Sequence, residues 1–225
     1  MLIVGLGTAI AQQAVGIDSI FLYMDDLIKA SGIESETTQL AILMLLGITK
    51  LFFVFVGGKL IDNLGRRPLL MASLIGMCVS LIIIAFTEKA AQIVGMAFYF
   101  AFFSIGMGPG AWLIPSEVFA TSIRAKGMSL ATVLNRTFAA IVASTFLSTS
   151  EAIGLKGYFL MLAAVCLLFT ALFYFYLPET KGRSLEDMTL YFAEITNDRS
   201  ILDAEAALRK DEVEMTKPVE SATPA

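Results

Sequence analysis

Asp18, Lys50 and Arg136 each stand inside a long run of apolar residues. A charged side chain at the centre of a bilayer costs about 2.5–3.5 kcal/mol on insertion scales, so such residues face a watery cavity or one another rather than lipid. Asp18 lies in the last third of the first run. Lys50 is near the middle of the second, between Leu46 and Phe53, and Arg136 is near the middle of the fifth. Two readings fit: internal ion pairs that hold helices together, or the lining of a polar ligand path. One acid stands against two bases, and a ligand path accommodates that imbalance more easily than a closed cluster does.

Amides accompany the charges. Gln12 and Gln13 precede Gly16 in the first run. Adjacent residues on a helix point about 100° apart, so the two amides cannot share one direction. Gly5, Gly7 and Gly16 weaken this run as a regular helix. A bend or unwound turn near Gly16 would bring Asp18 back toward the glutamines. Interrupted helices with polar groups at mid-depth are how carriers build solute sites. An amide both donates and accepts, as a hydroxyl does; a glutamine pair in a membrane helix also serves as helix–helix glue. The fourth run ends Gly106-Met107-Gly108-Pro109-Gly110-Ala111-Trp112, which predicts a kink. Trp112 is either an interfacial anchor or a flat platform for an apolar face of a ligand.

These residues must be positioned by membrane-spanning helices. The 225-residue chain is 57% hydrophobic and only 16% charged, against about 25% charge in soluble domains, and its mean hydropathy is +0.77. The apolar blocks match the roughly 20 residues a helix needs to cross about 30 Å of hydrocarbon. They predict six spans: Leu2–Tyr23, Leu40–Ile61, Leu69–Phe86, Ala91–Ile114, Met128–Leu147 and Gly157–Leu177. The runs are continuous, without the alternation of a membrane barrel. Flanks of the even-numbered spans carry Lys59, Arg66, Arg67, Arg124, Lys126, Lys181 and Arg183; flanks of the odd-numbered ones carry Lys29, Lys89 and Lys156. That asymmetry places the even-numbered loops, and with them both termini, in the cytoplasm. The opposite loops are acidic, with Asp25, Asp26, Glu34, Glu36, Glu88 and Glu151. Residues 1–185 therefore read as a six-span bundle and 186–225 as a cytoplasmic tail, amphipathic at first and disordered at its end.

Composition also excludes functions. The chain has no histidine and a net charge of −4, so histidine metal sites and histidine proton relays are out, and no basic patch exists for nucleic acid. Cys78 and Cys166 lie in apolar runs and read as small buried residues. No signal peptide is evident at the N-terminus. Paired catalytic acids and a nucleophile elbow are missing, so an enzyme is not expected, and no cofactor is called for. Nothing resembles a channel's selectivity filter.

Five motifs then carry a family resemblance. Gln12-Gln13-Ala14-Val15-Gly16-Ile17-Asp18 resembles the signature of the seventh span in sugar porters of the major facilitator superfamily. The stretch from Gly58 through Asp62 to Gly65-Arg66-Arg67 is similar to the loop between spans eight and nine. Gly108-Pro109-Gly110-Ala111-Trp112 with Pro115-Ser116-Glu117-Val118-Phe119 resembles the end of span ten, and Arg124-Ala125-Lys126-Gly127 its loop. Pro178-Glu179-Thr180-Lys181-Gly182-Arg183-Ser184-Leu185-Glu186-Asp187 resembles the close of span twelve. Asp18, Leu22-Tyr23, Thr49-Lys50 and Asn135-Arg136 look most like plant polyol and monosaccharide transporters.

The resemblance implies an all-α membrane protein, the six-transmembrane-helix half of a major facilitator fold equivalent to spans seven to twelve. It implies proton-coupled, alternating-access transport of polyols or monosaccharides at the plasma membrane. It also implies that this chain is only the C-terminal half, needing an N-terminal six-span half or a second copy, with the proton handled by the other half. A second reading is a non-transporting regulatory or sensor subunit. Substrate-binding positions fall on Gln12, Gln13, Asp18, Lys50, Trp112, Asn135 and Arg136, with Asp18 expected to pair with Lys50 or Arg136. Asp62, Arg66, Arg67, Glu117, Arg124 and Glu179 map to a cytoplasmic gate network. Ala120 and Ser122 depart from the family's usual residues in the loop after Glu117.

Overall fold

The structure is a computed structural model that describes residues 1–22, 24–30, 35–87, 90–196 and 202. Tyr23, the loop charges Glu34, Glu88 and Lys89, and the tail end expected to be disordered lie outside the described residues. Within them the chain is helical, without strands. α1 (Leu2–Ala14) and α2 (Ile17–Leu22) form the first crossing, and α3 (Met24–Ala30) follows. α4 (Glu36–Leu64) and α5 (Arg66–Phe86) are the second and third. α6 (Ala90–Phe102), a π-helical segment (Phe103–Met107) and α7 (Gly108–Val118) make the fourth. α8 (Arg124–Tyr176) is 53 residues long, about 80 Å at the helical rise and more than twice the hydrocarbon thickness. It folds back at Gly154, where φ is +75°, so it crosses twice. Six crossings result.

The helices run past the expected ends. Hydropathy reads lipid contact, whereas helical hydrogen bonding continues into polar sequence. The second span begins at Glu36 rather than Leu40, and the fifth at Arg124 rather than Met128. Residues 148–156, read as a loop between spans, are helical apart from the Gly154 break.

Two crossings are interrupted. At Gly16 φ is +87°, which an L side chain rarely adopts. The glycine predicted to loosen the first span therefore ends α1 and lets α2 start in a new direction. In the fourth span the irregularity expected over the stretch from Gly106 to Trp112 takes the form of a π segment (Phe103–Met107) that overlaps the start of that stretch. Pro109, in the first turn of α7, follows the π segment without a gap and has no N–H to pair with that segment's carbonyls. A wide π turn loosens backbone pairing, and in a membrane a neighbouring side chain must meet the freed groups. Ser73 of α5 does so, donating to the Phe102 carbonyl at 2.6 Å and accepting from the Met107 amide at 3.1 Å. Gly106 permits the approach, since a Cβ there would come within 2.6 Å of Ser73 Cβ.

The core lies where α5 packs on α8 and α6, and α1 on α8. Leu70, Leu74, Met77, Tyr99, Phe159 and Cys166 are fully buried there. Cys78 and Cys166 are buried free thiols, as read from sequence. α4 is mostly exposed and apolar, with Leu40, Met44, Leu51 and Phe55 on its surface. The predicted amphipathic start of the tail is α9 (Leu185–Thr196), which buries Met188, Phe192 and Ala193 and packs on α7.

Candidate functional site

Mid-depth polar groups converge at the Gly16 break. Gln12 projects from the last turn of α1 toward the fourth span and donates to the Gly108 carbonyl at 2.9 Å. Asn135 of α8 is fully buried. Its amide nitrogen donates to Gln12 Oε1 at 2.9 Å and to the Ala9 carbonyl at 2.8 Å. Arg136 donates to Asn135 Oδ1 at 2.6 Å.

Gln13 has two amide orientations available. In one, Nε2 donates to Asn135 Oδ1 at 3.3 Å. In the other, Nε2 donates to Asp18 Oδ2 at 3.1 Å and Oε1 accepts from Arg136 Nη2 at 3.2 Å. The second sets a donor against the carboxylate and an acceptor against the guanidinium, so the charges select it. The two glutamines do point apart, one to the fourth span and one to Asp18 and Arg136. Asn135 bonds Gln12, and in the selected orientation Gln13 is tied to Asp18 and Arg136 instead.

The site has two layers. Gln12 and Gln13 are 5% and 3% exposed, and their amides bond within the bundle. Asp18 and Arg136 stand in front, with side chains 40% and 59% exposed and Oδ2 to Nη1 at 3.9 Å. Of the two partners expected for Asp18, the structure gives Arg136. Lys50 goes elsewhere: its ammonium lies 5.1 Å from the Phe21 ring centroid and 6.0 Å from that of Phe103, within cation–π range. It bridges α2 and the π segment from α4. Trp112 is partly exposed, one turn beyond Gly108 on the same helix face. Phe21 and Phe103 were not singled out from sequence, because an aromatic in an apolar run gives no signal of a cation above it.

A second constellation lies at the end of the bundle where α4 turns into α5. Arg66 directs Nε and Nη2 at Glu117 Oε1, at 3.1 and 2.9 Å, and lies 3.6 Å from Asp62. The other Glu117 oxygen accepts from Thr180 Oγ1 at 2.5 Å. Glu179, 113 residues along the chain, accepts from the Arg66 amide at 2.9 Å. It also accepts from the amides of Arg67, at 3.1 Å, and Lys181, at 2.9 Å. It thus caps the positive N-terminal end of α5 with a carboxylate. Arg67 donates to the Tyr174 carbonyl at 2.5 Å and lies over the Tyr174 ring. Among the described residues Arg124 forms no ion pair. It donates to Thr121 Oγ1 at 3.3 Å, and its Nε is buried without a partner. Thr180 and Lys181, whose Nζ reaches the Asn63 carbonyl at 2.6 Å, join the constellation although sequence reasoning had not assigned them to it.

Comparisons with known proteins agree with this architecture. A family described as "Sugar (and other) transporter" matches residues 1–192. "Probable polyol transporter 4" of Arabidopsis thaliana is 38% identical over 225 residues, an alignment covering 94% of this chain and 43% of that protein. "D-xylose-proton symporter-like 2" of the same organism is 32% identical, over 83% of this chain and 38% of that protein. Among solved structures, the proton:xylose symporter XylE bound to 6-bromo-6-deoxy-D-glucose superposes with a TM-score of 0.77 at 25% identity, covering 85% of this chain and 42% of XylE. The chain thus spans less than half the length of these relatives. Its helices form half of a major facilitator fold, and the chain belongs to the sugar transporter family of that superfamily.

Proposed function

We propose that this chain forms one wall of the solute path in a carrier of polyols or monosaccharides. The observation that carries this reading is the half-exposed Asp18–Arg136 pair, held at a helix break in front of buried amides. Its long separation leaves both charges able to turn to a ligand. A hydroxyl can donate to the carboxylate and accept from the guanidinium, and charge-assisted bonds of that kind are stronger than neutral ones. Lys50 adds a second cationic donor, and Trp112 a flat apolar surface. Gln12, Gln13 and Asn135 act from behind, holding the charged layer in place.

Transport in this reading is alternating access between two six-span halves, with the facing wall supplied by an N-terminal half or a second copy. It is symport with a proton, as in the proton-coupled xylose relatives. Residues 1–185 are the bundle and 186–225 the cytoplasmic tail; both termini face the cytoplasm, and the membrane is the plasma membrane. The Asp62, Arg66, Glu117 and Glu179 constellation then sits on the inner face. Its charge pairs, made and broken between states, act as the inner gate. The chain carries out no reaction on its solute.

The test is uptake of labelled sorbitol, myo-inositol and D-xylose by transport-deficient cells expressing the carrier that contains this chain. Asp18→Asn, Lys50→Asn and Arg136→Gln are each expected to lower uptake or reorder preference among the three solutes. Unchanged uptake of all three in every variant would remove the binding role.

A further inference from the structure

The Gly16 break raises a mechanical question: what fixes the direction in which α2 leaves it? Asp18 is only two residues past the glycine, so a small rotation there carries its carboxylate away from Gln13 and Arg136. The fourth span supplies the brace. Tyr99 of α6 donates from its hydroxyl to the Val15 carbonyl at 3.0 Å, immediately before the positive-φ glycine. The Tyr99 side chain is fully buried. Its ring stands edge-on to Phe100, at 5.6 Å and 76°, so the phenol is fixed in place.

The same span also takes Gln12 on its Gly108 carbonyl. The fourth span therefore grips the first twice, at Gln12 before the break and at Val15 on its edge. The Asp18 and Arg136 charges lie 3.9 Å apart, and their attraction weakens steadily as that distance grows.

We propose that Tyr99 is a positioning residue of the binding site: its hydroxyl sets the turn at Val15–Gly16 and so holds Asp18 opposite Arg136. The inference rests on the reading that these two charges meet the solute. Tyr99 touches no ligand and acts through Asp18 alone.

The test is equilibrium binding of labelled sorbitol to the carrier that contains this chain, reconstituted in lipid nanodiscs. Tyr99→Phe keeps the ring and removes only the hydroxyl. One hydrogen bond's net worth corresponds to a Kd raised about three- to tenfold. In an Asp18→Asn background the same change is expected to shift Kd less than about twofold, because the group being positioned is already altered. A general loss of packing moves Kd by the same factor in both backgrounds, and that result overturns the proposal, as does a Tyr99→Phe chain that binds like its parent. Amide exchange at Ser19 and Ile20 gives a readout independent of sorbitol. Faster exchange in Tyr99→Phe is expected, and unchanged exchange overturns the brace. A parent carrier that never binds sorbitol sinks the solute reading instead, while faster exchange would still uphold the brace.

Discussion

Removing one oxygen from Ser73 should destabilise this bundle far more than its size suggests. Ser73 is 1% exposed, and its hydroxyl satisfies two backbone groups of another crossing, Phe102 O and Met107 N. Ser73→Ala keeps the Cβ that packs on Gly106 and deletes both bonds. Each buried polar group left without a partner costs about 1–3 kcal/mol, giving an upper bound of about 6 kcal/mol. Interhelical bonds measured in membranes average about 0.6 and reach about 1.7 kcal/mol, because partners re-form. Relaxation of the π segment toward α pairing recovers part of the loss, so about 1.5–3 kcal/mol is expected. Ser80→Ala is the control. It lies on the same helix, equally buried, but donates only to the Gly76 carbonyl one turn back at 2.8 Å. That carbonyl belongs to its own helix, so about 0.5 kcal/mol or less is expected. Reversible unfolding in bicelles, followed by far-ultraviolet circular dichroism, measures both. Equal losses for the two serines, within about 0.5 kcal/mol, would refute the idea that Ser73 braces the π segment.

Two further outcomes follow from the loop constellation and the tail. Glu179→Gln keeps an acceptor for the α5 amides and loses the charge that opposes the helix dipole, so a loss of about 0.5–1 kcal/mol is expected. Glu179→Ala, which leaves the amides of Arg66 and Arg67 without this partner, should cost more, and thermal unfolding of the two variants should rank in that order. At the start of α9, Ser184 and Asp187 form a reciprocal cap: the Ser184 amide donates to Asp187 at 3.0 Å and the Asp187 amide to Ser184 Oγ at 3.1 Å. The Ser184 hydrogen bonds hold the Asp187 carboxyl below its ordinary value of 3.8. A carboxyl lowered in the folded state stabilises fully above its unfolded pKa and stops doing so as pH falls through the folded value. The Asp187 amide should therefore stay protected from exchange near neutral pH and lose protection, once intrinsic rates are corrected for, below about pH 4. Asp187→Asn should show no such step.

The spans were legible because lipid demands long apolar runs, and that demand is written residue by residue. The Gly16 break was legible for a similar local reason: a glycine weakens a helix wherever it sits. The π segment was not, because its stabilising partner, Ser73, lies on a different span and reads as an ordinary serine in an apolar run. Lys50 shows the same limit from another side. Charge counting looked for an acid beside it, and the structure provides the faces of Phe21 and Phe103. Gln12 and Gln13 were visible as costly polar groups, but not their depth behind Asp18 and Arg136, which depends on Asn135 reaching in from α8. In the loop after Glu117, the unusual Ala120 and Ser122 marked a place where, among the described residues, Arg124 forms no ion pair, and Ser122 Oγ is buried there without a partner.

The Glu179 cap has a practical consequence for handling the protein. The strip beyond the last crossing works as a keystone for a corner more than a hundred positions upstream. Trimming the polypeptide ahead of Glu179, an ordinary step in preparing membrane proteins for crystallisation, would strip the positive end of α5 of its carboxylate and release the Glu117 oxygen that Thr180 engages. A shortened version that spares 179–196 retains the corner, the Ser184–Asp187 cap and the helix that the cap starts, and tags belong beyond that stretch.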